Sequence, residues 1–569
     1  MSLITAPSGW LDSTAVRVLV FHGYLLRGTG SNIYNAELAE TLVRMGHEVH
    51  LLCQEHDPGG LGFVDSIGDW DKGELVVRTV AKRAQEGACT VYRPDIGGLL
   101  PVYVYDRYER FEVRTFDRLT DAELENYIDA NVAAVRDVAD AFDPDVALAN
   151  HLVMGPVILA RALEDVPYAV KIHGSALEYT VKPHYQRFSP YAREGLAKAR
   201  AVLVGSQHTA ESLWAAMASE DLPQRTRLGP PGVDTHTFTP LAKSEWLDAF
   251  DGLVRWLETA RRTGFDARAA EALDELSSPT RETPPDADAL ETVRAGYDPR
   301  GIDLDAPLRL ASIDPVEQPV VSFVGKLIVS KGPDLLLAAW PLVLMRHPQA
   351  RLVIVGFGTY REGLELLIRA LERADEQLLM RIIRYGRVFE GGERNQLTYM
   401  KAFFEGLNSR SERYFAAARR MHETVVFTGR LEHGELARLM PVSECVLMPS
   451  MFPEAFGMVA AEAAACGSLP ISAAHSGLAE VTAILARGVS KEVSPLLSFE
   501  RGMRSVEGIA DCINGWLDLD ERTRDEAREQ LAETARARFS WERVAEGVLA
   551  GARGHLDRLD LVPDHSPFA

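Results

Sequence analysis

Apolar residues in this chain fall in short unbroken blocks, each closed by glycine or by polar residues. Residues 15–21 (Ala-Val-Arg-Val-Leu-Val-Phe) form the first block. A strand patterned this way is covered on both faces, as in a parallel sheet. A glycine-bearing loop over residues 23–30 follows, then helical spacing over 32–45, a stop at Gly46-His47 and a second strand over 48–53. Strand, glycine loop, helix and strand make a βαβ unit. The alternation continues through strands at 145–149, 168–172 and 201–204. It predicts one Rossmann-like domain over about residues 15–225.

A turn-rich junction, Gly229-Pro230-Pro231-Gly232-Val233-Asp234, ends that series, because proline fixes φ and glycine permits a sharp bend. The next buried strand is predicted only at 320–324. Between them lie a charged helical stretch (245–276) and a Pro/Ser/Asp-rich tract (277–288), read as an insertion that is part helical and part mobile. From residue 320 the plan repeats: strand, Gly325 loop, helix from Pro333, strand at 351–355, then Gly356-Phe357-Gly358. Arg, Glu and Leu at helical spacing separate Gly358 from a strand at 425–428, a second helical insertion. The chain closes with Phe539-Ser540-Trp541 and a helix to about residue 559. The predicted domains are 1–228, a hinge at 229–240, 241–540 with insertions at about 243–310 and 375–420, and a terminal helical segment at 541–569.

With 569 residues, 46% hydrophobic and 25% charged, the chain has ample core for two or three globular domains. No apolar run approaches the roughly 20 residues of a membrane span. The first ten residues lack a basic region followed by an apolar core, so a cytoplasmic location is expected. A net charge of -21 disfavours non-specific contact with nucleic acid or an anionic bilayer, and leaves peripheral membrane contact to a local patch. The five cysteines are scattered without a C-x-x-C pair, so neither a disulfide framework nor a zinc site is expected.

The densest chemistry lies in Met448-Pro-Ser-Met-Phe-Pro-Glu-Ala-Phe-Gly-Met-Val-Ala-Ala-Glu and onward to Ser476-Gly-Leu-Ala-Glu480. Glu454 and Glu462 stand eight positions apart across the start of an Ala-rich helix that follows a buried strand. A helix start offers unpaired N–H groups and partial positive charge to a phosphate, and two fixed acids beside it accept hydrogen bonds from hydroxyls. Taken singly, each glutamate has a plainer account, as a helix-terminal acid or a solvated helical acid. Upstream, Gly325-Lys-Leu-Ile-Val-Ser-Lys331-Gly332 joins a strand to a helix and brings Lys326 and Lys331 towards one place, where two ammonium groups meet a diphosphate. His173 ends the strand at 168–172, where a parallel sheet presents ligand-facing residues. His151 ends the preceding strand and is a weaker candidate, while Lys171 is expected on the buried or opposite face with no role. Gly28-Thr29-Gly30 opens the first helix.

These residues resemble the E-x7-E signature and the G-R-L…K-G motif of retaining glycosyltransferases of family 4. Lys326 stands where an arginine is usual, which keeps the charge and loses bidentate geometry. Pro449-Ser450, Phe456-Gly457, Glu462-Ala463, Cys466-Gly467 and residues 477–480 fall in family register, and Val233-Asp234 with Phe238 and Pro240 resembles the interdomain element. The resemblance implies an α/β GT-B fold: two Rossmann-like, doubly wound parallel-sheet domains facing a cleft, with helical insertions in the second. It implies transfer of a sugar from a nucleotide-diphosphate sugar to a hydroxyl acceptor, a carbohydrate, small metabolite or lipid, without a metal or other cofactor. Catalytic roles fall to His173, Lys331 and Glu454. Donor binding falls to Gly30, Gly325, Lys326, Lys331, the backbone of Phe456, Gly457 and Met458, and Glu462 on the ribose.

Several D-x-D triplets, among them those at 69–71, 143–145, 303–305 and 518–520, are read as helix caps and solvated surface, not as metal ligands. Two rival functions stay open: a nucleotide-sugar epimerase on the same scaffold, and a non-catalytic nucleotide-sugar binding module.

Overall fold

A computed structural model describes residues 15–28, 30–81, 86–103, 110–260, 262–263, 267–277, 284–295 and 301–563. Residues 1–10, Thr29 and residues 278–283 of the Pro/Ser/Asp-rich tract lie outside that set. The chain forms two compact units, one running to Gly232 and resuming at Trp541, the other spanning Val233–Ser540.

The first unit is built on a nine-stranded sheet in the order Thr226–Leu228, Ala201–Val204, Tyr168–Ile172, Val146–Asn150, Arg17–Phe21, Glu48–Leu52, Ala88–Arg93, Ser66–Asp71, Glu74–Thr79. Every pairing is parallel except that of the last two strands, which form an antiparallel hairpin at the edge. The first strand accounts for its own pattern. Val18 and Val20 pack with Leu38 and Leu42 of helix Gly30–Arg44 and with Val544 and Val548 of the terminal helix Trp541–Arg553. Leu19 and Phe21 point the other way, into a cluster with Ile128 and Val135 of helix Asp121–Phe142. With both faces buried, no polar position interrupts the block. The terminal helix thus belongs to the first unit, and the ring of Trp541 lies so close to Gly232 that a Cβ there would come within 2.5 Å of it.

The second unit holds an eight-stranded sheet: Arg262–Thr263, Ile302–Asp303, Val425–Gly429, Arg351–Val355, Val320–Val324, Ser443–Met448, Leu469–Ala473, Ser498–Phe499. All pairings are parallel but Ile302 with Gly429. The sequence reading placed no strand between residues 240 and 320. Among the described residues two occur there, each of two residues, too short to leave an apolar block. Around them run helices Trp246–Thr259, Ala267–Ser277 and Ala287–Ala295. Residues 375–420 are largely helical, in Glu376–Tyr385, Thr398–Glu405 and Ser411–Ala418. All five cysteines are buried. No helix among the described residues is long and apolar enough to cross a membrane.

Candidate functional site

In the second sheet the strand order reverses about Val320–Val324, whose neighbours are Arg351–Val355 on one side and Ser443–Met448 on the other. Connections leave that point in opposite directions, so the loops at its carboxyl end open a crevice, the usual ligand site of such sheets. One loop is residues 325–332 and the other residues 449–457. They touch at Gly332, whose φ is +70° and where a Cβ would stand 2.1 Å from the carbonyl oxygen of Pro449. Only glycine fits there. The approach brings Lys331 into an ion pair with Glu454 Oε1, an oxygen that also accepts from Ser450 Oγ at 2.6 Å.

Further bonds hold both loops in place. The Met451 N–H donates to the Ser330 carbonyl at 2.8 Å, the Glu454 N–H to Ser476 Oγ at 2.9 Å, and His475 Nε2 to the Ser450 carbonyl at 2.7 Å. The Lys331 and Glu454 side chains are 33% and 26% exposed. An ion pair that wet contributes at most about 1 kcal/mol to folding, so its placement has no large return in stability.

Helix Met458–Ala465 starts directly beyond, with Gly457 as its N-cap and Phe456 buried before it. Glu462, on this helix, is 5% exposed, which excludes the account of it as a solvated helical acid. His433 Nε2 lies 3.7 Å from its carboxylate. Lys326 is exposed, and the Gly325 N–H is taken by the Val355 carbonyl at 3.1 Å. The structure therefore joins Lys331 to Glu454 and sets Glu462 near His433, while exposed Lys326 makes no ion pair among the described residues.

The first sheet reverses order about Arg17–Phe21, between Glu48–Leu52 and Val146–Asn150. His22, His151 and His173 follow three adjacent strands at this carboxyl end. His173 meets Asn150 Oδ1 at 2.8 Å and packs against the rings of Tyr34 (5.0 Å) and His151 (4.8 Å). Burial, with the neighbouring His151, Lys171 and His22, holds His173 well below the ordinary imidazole pKa, and burial lowers His22 to about 4. His151 is 2% exposed with φ +67°, and neither ring nitrogen has a hydrogen-bond partner among the described residues. Gly30 is the first residue of its helix, and nothing within 4 Å would obstruct a side chain there.

Two family models match the chain, one over the first unit and one over much of the second. The family model described as "Glycosyl transferase 4-like domain" matches residues 29–225, and "Glycosyl transferases group 1" matches residues 310–389 and 392–538. The chain belongs to glycosyltransferase family 4. Among curated relatives, the D-inositol 3-phosphate glycosyltransferase of Segniliparus rotundus is 29% identical over 252 residues, 44% of this chain and 43% of that protein. The protein of that name from Mycobacterium tuberculosis is 27% identical over 265 residues, 44% of this chain and 42% of its own. The chain thus spans less than half the length of these relatives. The N-terminal domain of trehalose-6-phosphate phosphatase from Candida albicans aligns with 97% of this chain and 99% of its own at a TM-score of 0.51 and 11% identity, a likeness of fold alone. The family 4 fold is GT-B, an α/β class of two largely parallel sheets.

One sequence expectation is decided between its two alternatives and two need correction. Lys171 takes the buried position, not the face away from His173. It is buried, donates to the Gly229 carbonyl and lies 5.3 Å over the same Tyr34 ring, because residues i and i+2 of a strand share a face. Desolvation lowers its pKa to about 7. Asp303 is not solvated but 6% exposed, in a 2.7 Å pair with buried Arg361. Asp69 likewise pairs with Arg93 at 2.8 Å. The remaining triplets are caps or paired: Asp143 and Asp145 grip Arg17, Asp520 caps its helix, and Asp518 pairs with Arg346.

Some residues at these candidate sites went unnoticed in the sequence. Glu390 Oε2 accepts the Val329 N–H at 2.8 Å, tying residues 325–332 to the Arg387–Glu390 turn. No local signal marks it. His22 and Asn150 carried one, since each is a polar residue at the end of an apolar strand.

Proposed function

We propose that the chain transfers a sugar from a nucleotide-diphosphate sugar to a hydroxyl acceptor with retention of configuration. The observation that carries the reading is the Lys331–Glu454 pair at the switch point of the second sheet, beside a helix start and buried Glu462. Lys331, with Lys326 and the helix N–H groups, meets the diphosphate; Glu462 holds ribose hydroxyls; Glu454 holds a hydroxyl of the transferred sugar. The bond between the anomeric carbon and the diphosphate oxygen breaks as the acceptor oxygen bonds to that carbon from the same face, through an oxocarbenium-like state. The hydroxyl proton passes to the departing phosphate oxygen. Preorganised cations and N–H groups stabilise the charge that grows there. The relatives' name places inositol phosphates first among acceptors to try, after a thermal-shift screen of UDP-, GDP- and ADP-sugars. Epimerised sugar from donor alone, or binding without turnover, would overturn the reading.

Glu462→Ala is expected to weaken binding of the free nucleoside diphosphate by about 10- to 100-fold, the worth of hydrogen bonds to a charged group. Glu454→Gln should instead depress kcat and leave that affinity intact or slightly tighter, because it releases Lys331 from its partner. Calorimetry on both variants decides, and an equal loss of affinity in the two would defeat the assignment.

Transfer is expected to survive dialysis against EDTA, since the phosphate charge is assigned to lysines and a helix start, and the D-x-D carboxylates named above are caps or have cation partners. Rates with and without added magnesium or manganese are the check. Complete loss restored by metal would sink this reading.

A further inference from the structure

Five side chains in the first unit form one directed line of hydrogen bonds. His173 Nε2 meets Asn150 Oδ1 at 2.8 Å, Asn150 Nδ2 meets Asn35 Oδ1 at 2.7 Å, and Asn35 Nδ2 meets His22 Nδ1 at 3.1 Å. His22 Nε2 then meets Asn32 Oδ1 at 3.0 Å, and Asn32 Nδ2 meets the Arg27 carbonyl at 2.7 Å. Four backbone carbonyls set the direction. Asn150 Nδ2 also donates to Phe21 O at 3.1 Å, Asn35 Nδ2 to Ser31 O at 2.8 Å, and His22 Nε2 to Leu25 O at 3.0 Å, besides Asn32 to Arg27 O. Carbonyls only accept, so each amide nitrogen and His22 Nε2 must be the donor. Turning over any one amide would set its carbonyl oxygen against a backbone carbonyl.

We propose that Asn150 is a positioning residue that holds His173 in its Nε2–H tautomer, leaving Nδ1 as a fixed acceptor for a substrate hydroxyl. The inference rests on the reading of His173 as a substrate-facing group. Every other member of the line is at most 2% exposed: His22, Asn32, Asn35 and Asn150. A second proton on His22 would place an N–H against the Asn35 N–H, and the depressed pKa of His22 agrees with a neutral ring. An imidazole held this way accepts from a hydroxyl and repels a phosphate or carboxylate, so His173 selects for the polyol part of a ligand and against its anionic part. The far end of the line, Arg27 O, immediately precedes Gly28, so the tautomer of His173 is tied to the loop that opens the first helix.

The test uses the full chain labelled with 15N-histidine, with two-bond 1H–15N spectra that distinguish the imidazole tautomers. In the wild type, His22 and His173 are expected as single Nε2–H species; a His173 carrying its proton on Nδ1 overturns the proposal without any substitution. In Asn150→Leu, His173 should become a mixture of tautomers and kcat should fall about tenfold, with the KM for donor little changed. Asn150→Asp, which keeps an oxygen facing Nε2 but sets its other oxygen against Phe21 O and Asn35 Oδ1, should keep the proton on Nε2 of His173 while disturbing the rest of the line. An unchanged His173 signal in Asn150→Leu, or no difference between the two variants, would refute a positioning role. Separately, wild-type transfer by His173→Gln would overturn the substrate role of His173 itself while the spectra still report on the line.

Discussion

Replacing Lys331 by alanine is expected to lower kcat for transfer by about 10²–10³-fold, the usual cost of deleting one preorganised donor to developing charge. The side chain leaves a tight turn that Gly332 permits, and its partner is Glu454. Alanine removes the cation that meets the departing diphosphate and leaves the Glu454 carboxylate held by Ser450. The fold should not suffer, because the pair is partly solvated and contributes at most about 1 kcal/mol. Initial rates at saturating donor and acceptor, set beside a melting curve, give the check. A wild-type kcat would remove Lys331 from the mechanism, and a large fall in Tm would make the loss structural.

Acidification below pH 6.5 is expected to destabilise the first unit well before its carboxylates titrate. Burial lowers His22 from 6.5 to about 4, and holds His151 and His173 well below 6.5 as well. A folded-state pKa below the unfolded one means that the unfolded chain binds the extra proton first. The stability of the neutral rings is therefore fully present above pH 6.5 and is lost as pH falls towards 4. At 1.36 kcal/mol per pKa unit, His22 alone accounts for up to about 3 kcal/mol. The groups around it act in the same sense: His151 stacks on it at 6.0 Å, and Lys171 and His22 both disfavour charge on His173. Urea unfolding between pH 7 and 5 measures the slope, and His22→Gln should flatten it. Constant stability across that interval would show these rings to be charged or solvated in the native state.

Local pattern carried the central strands, because burial on both faces leaves a continuous apolar block. Val18 and Val20 serve one layer and Leu19 and Phe21 the other. It also carried the order of chemical groups along the chain, since Lys331, Glu454 and Glu462 sit at the ends of strands and the start of a helix that the pattern already predicts. Two-residue strands such as Ile302–Asp303 escaped, as they bury too little to leave a mark, and so did the outer strands Ser66–Asp71, Glu74–Thr79 and Ala88–Arg93, whose partly exposed residues break the apolar block. What the chain by itself did not contain was adjacency. Lys331 meets Glu454, 123 positions away, only because the strands before their loops are neighbours in the sheet. Asn150 reaches Asn35 across 115 positions for the same reason. Strand order is decided by how helices cover both faces of a twisted sheet, a property of the whole unit, and so the pairings that give each side chain its charge state and direction belong to the tertiary structure.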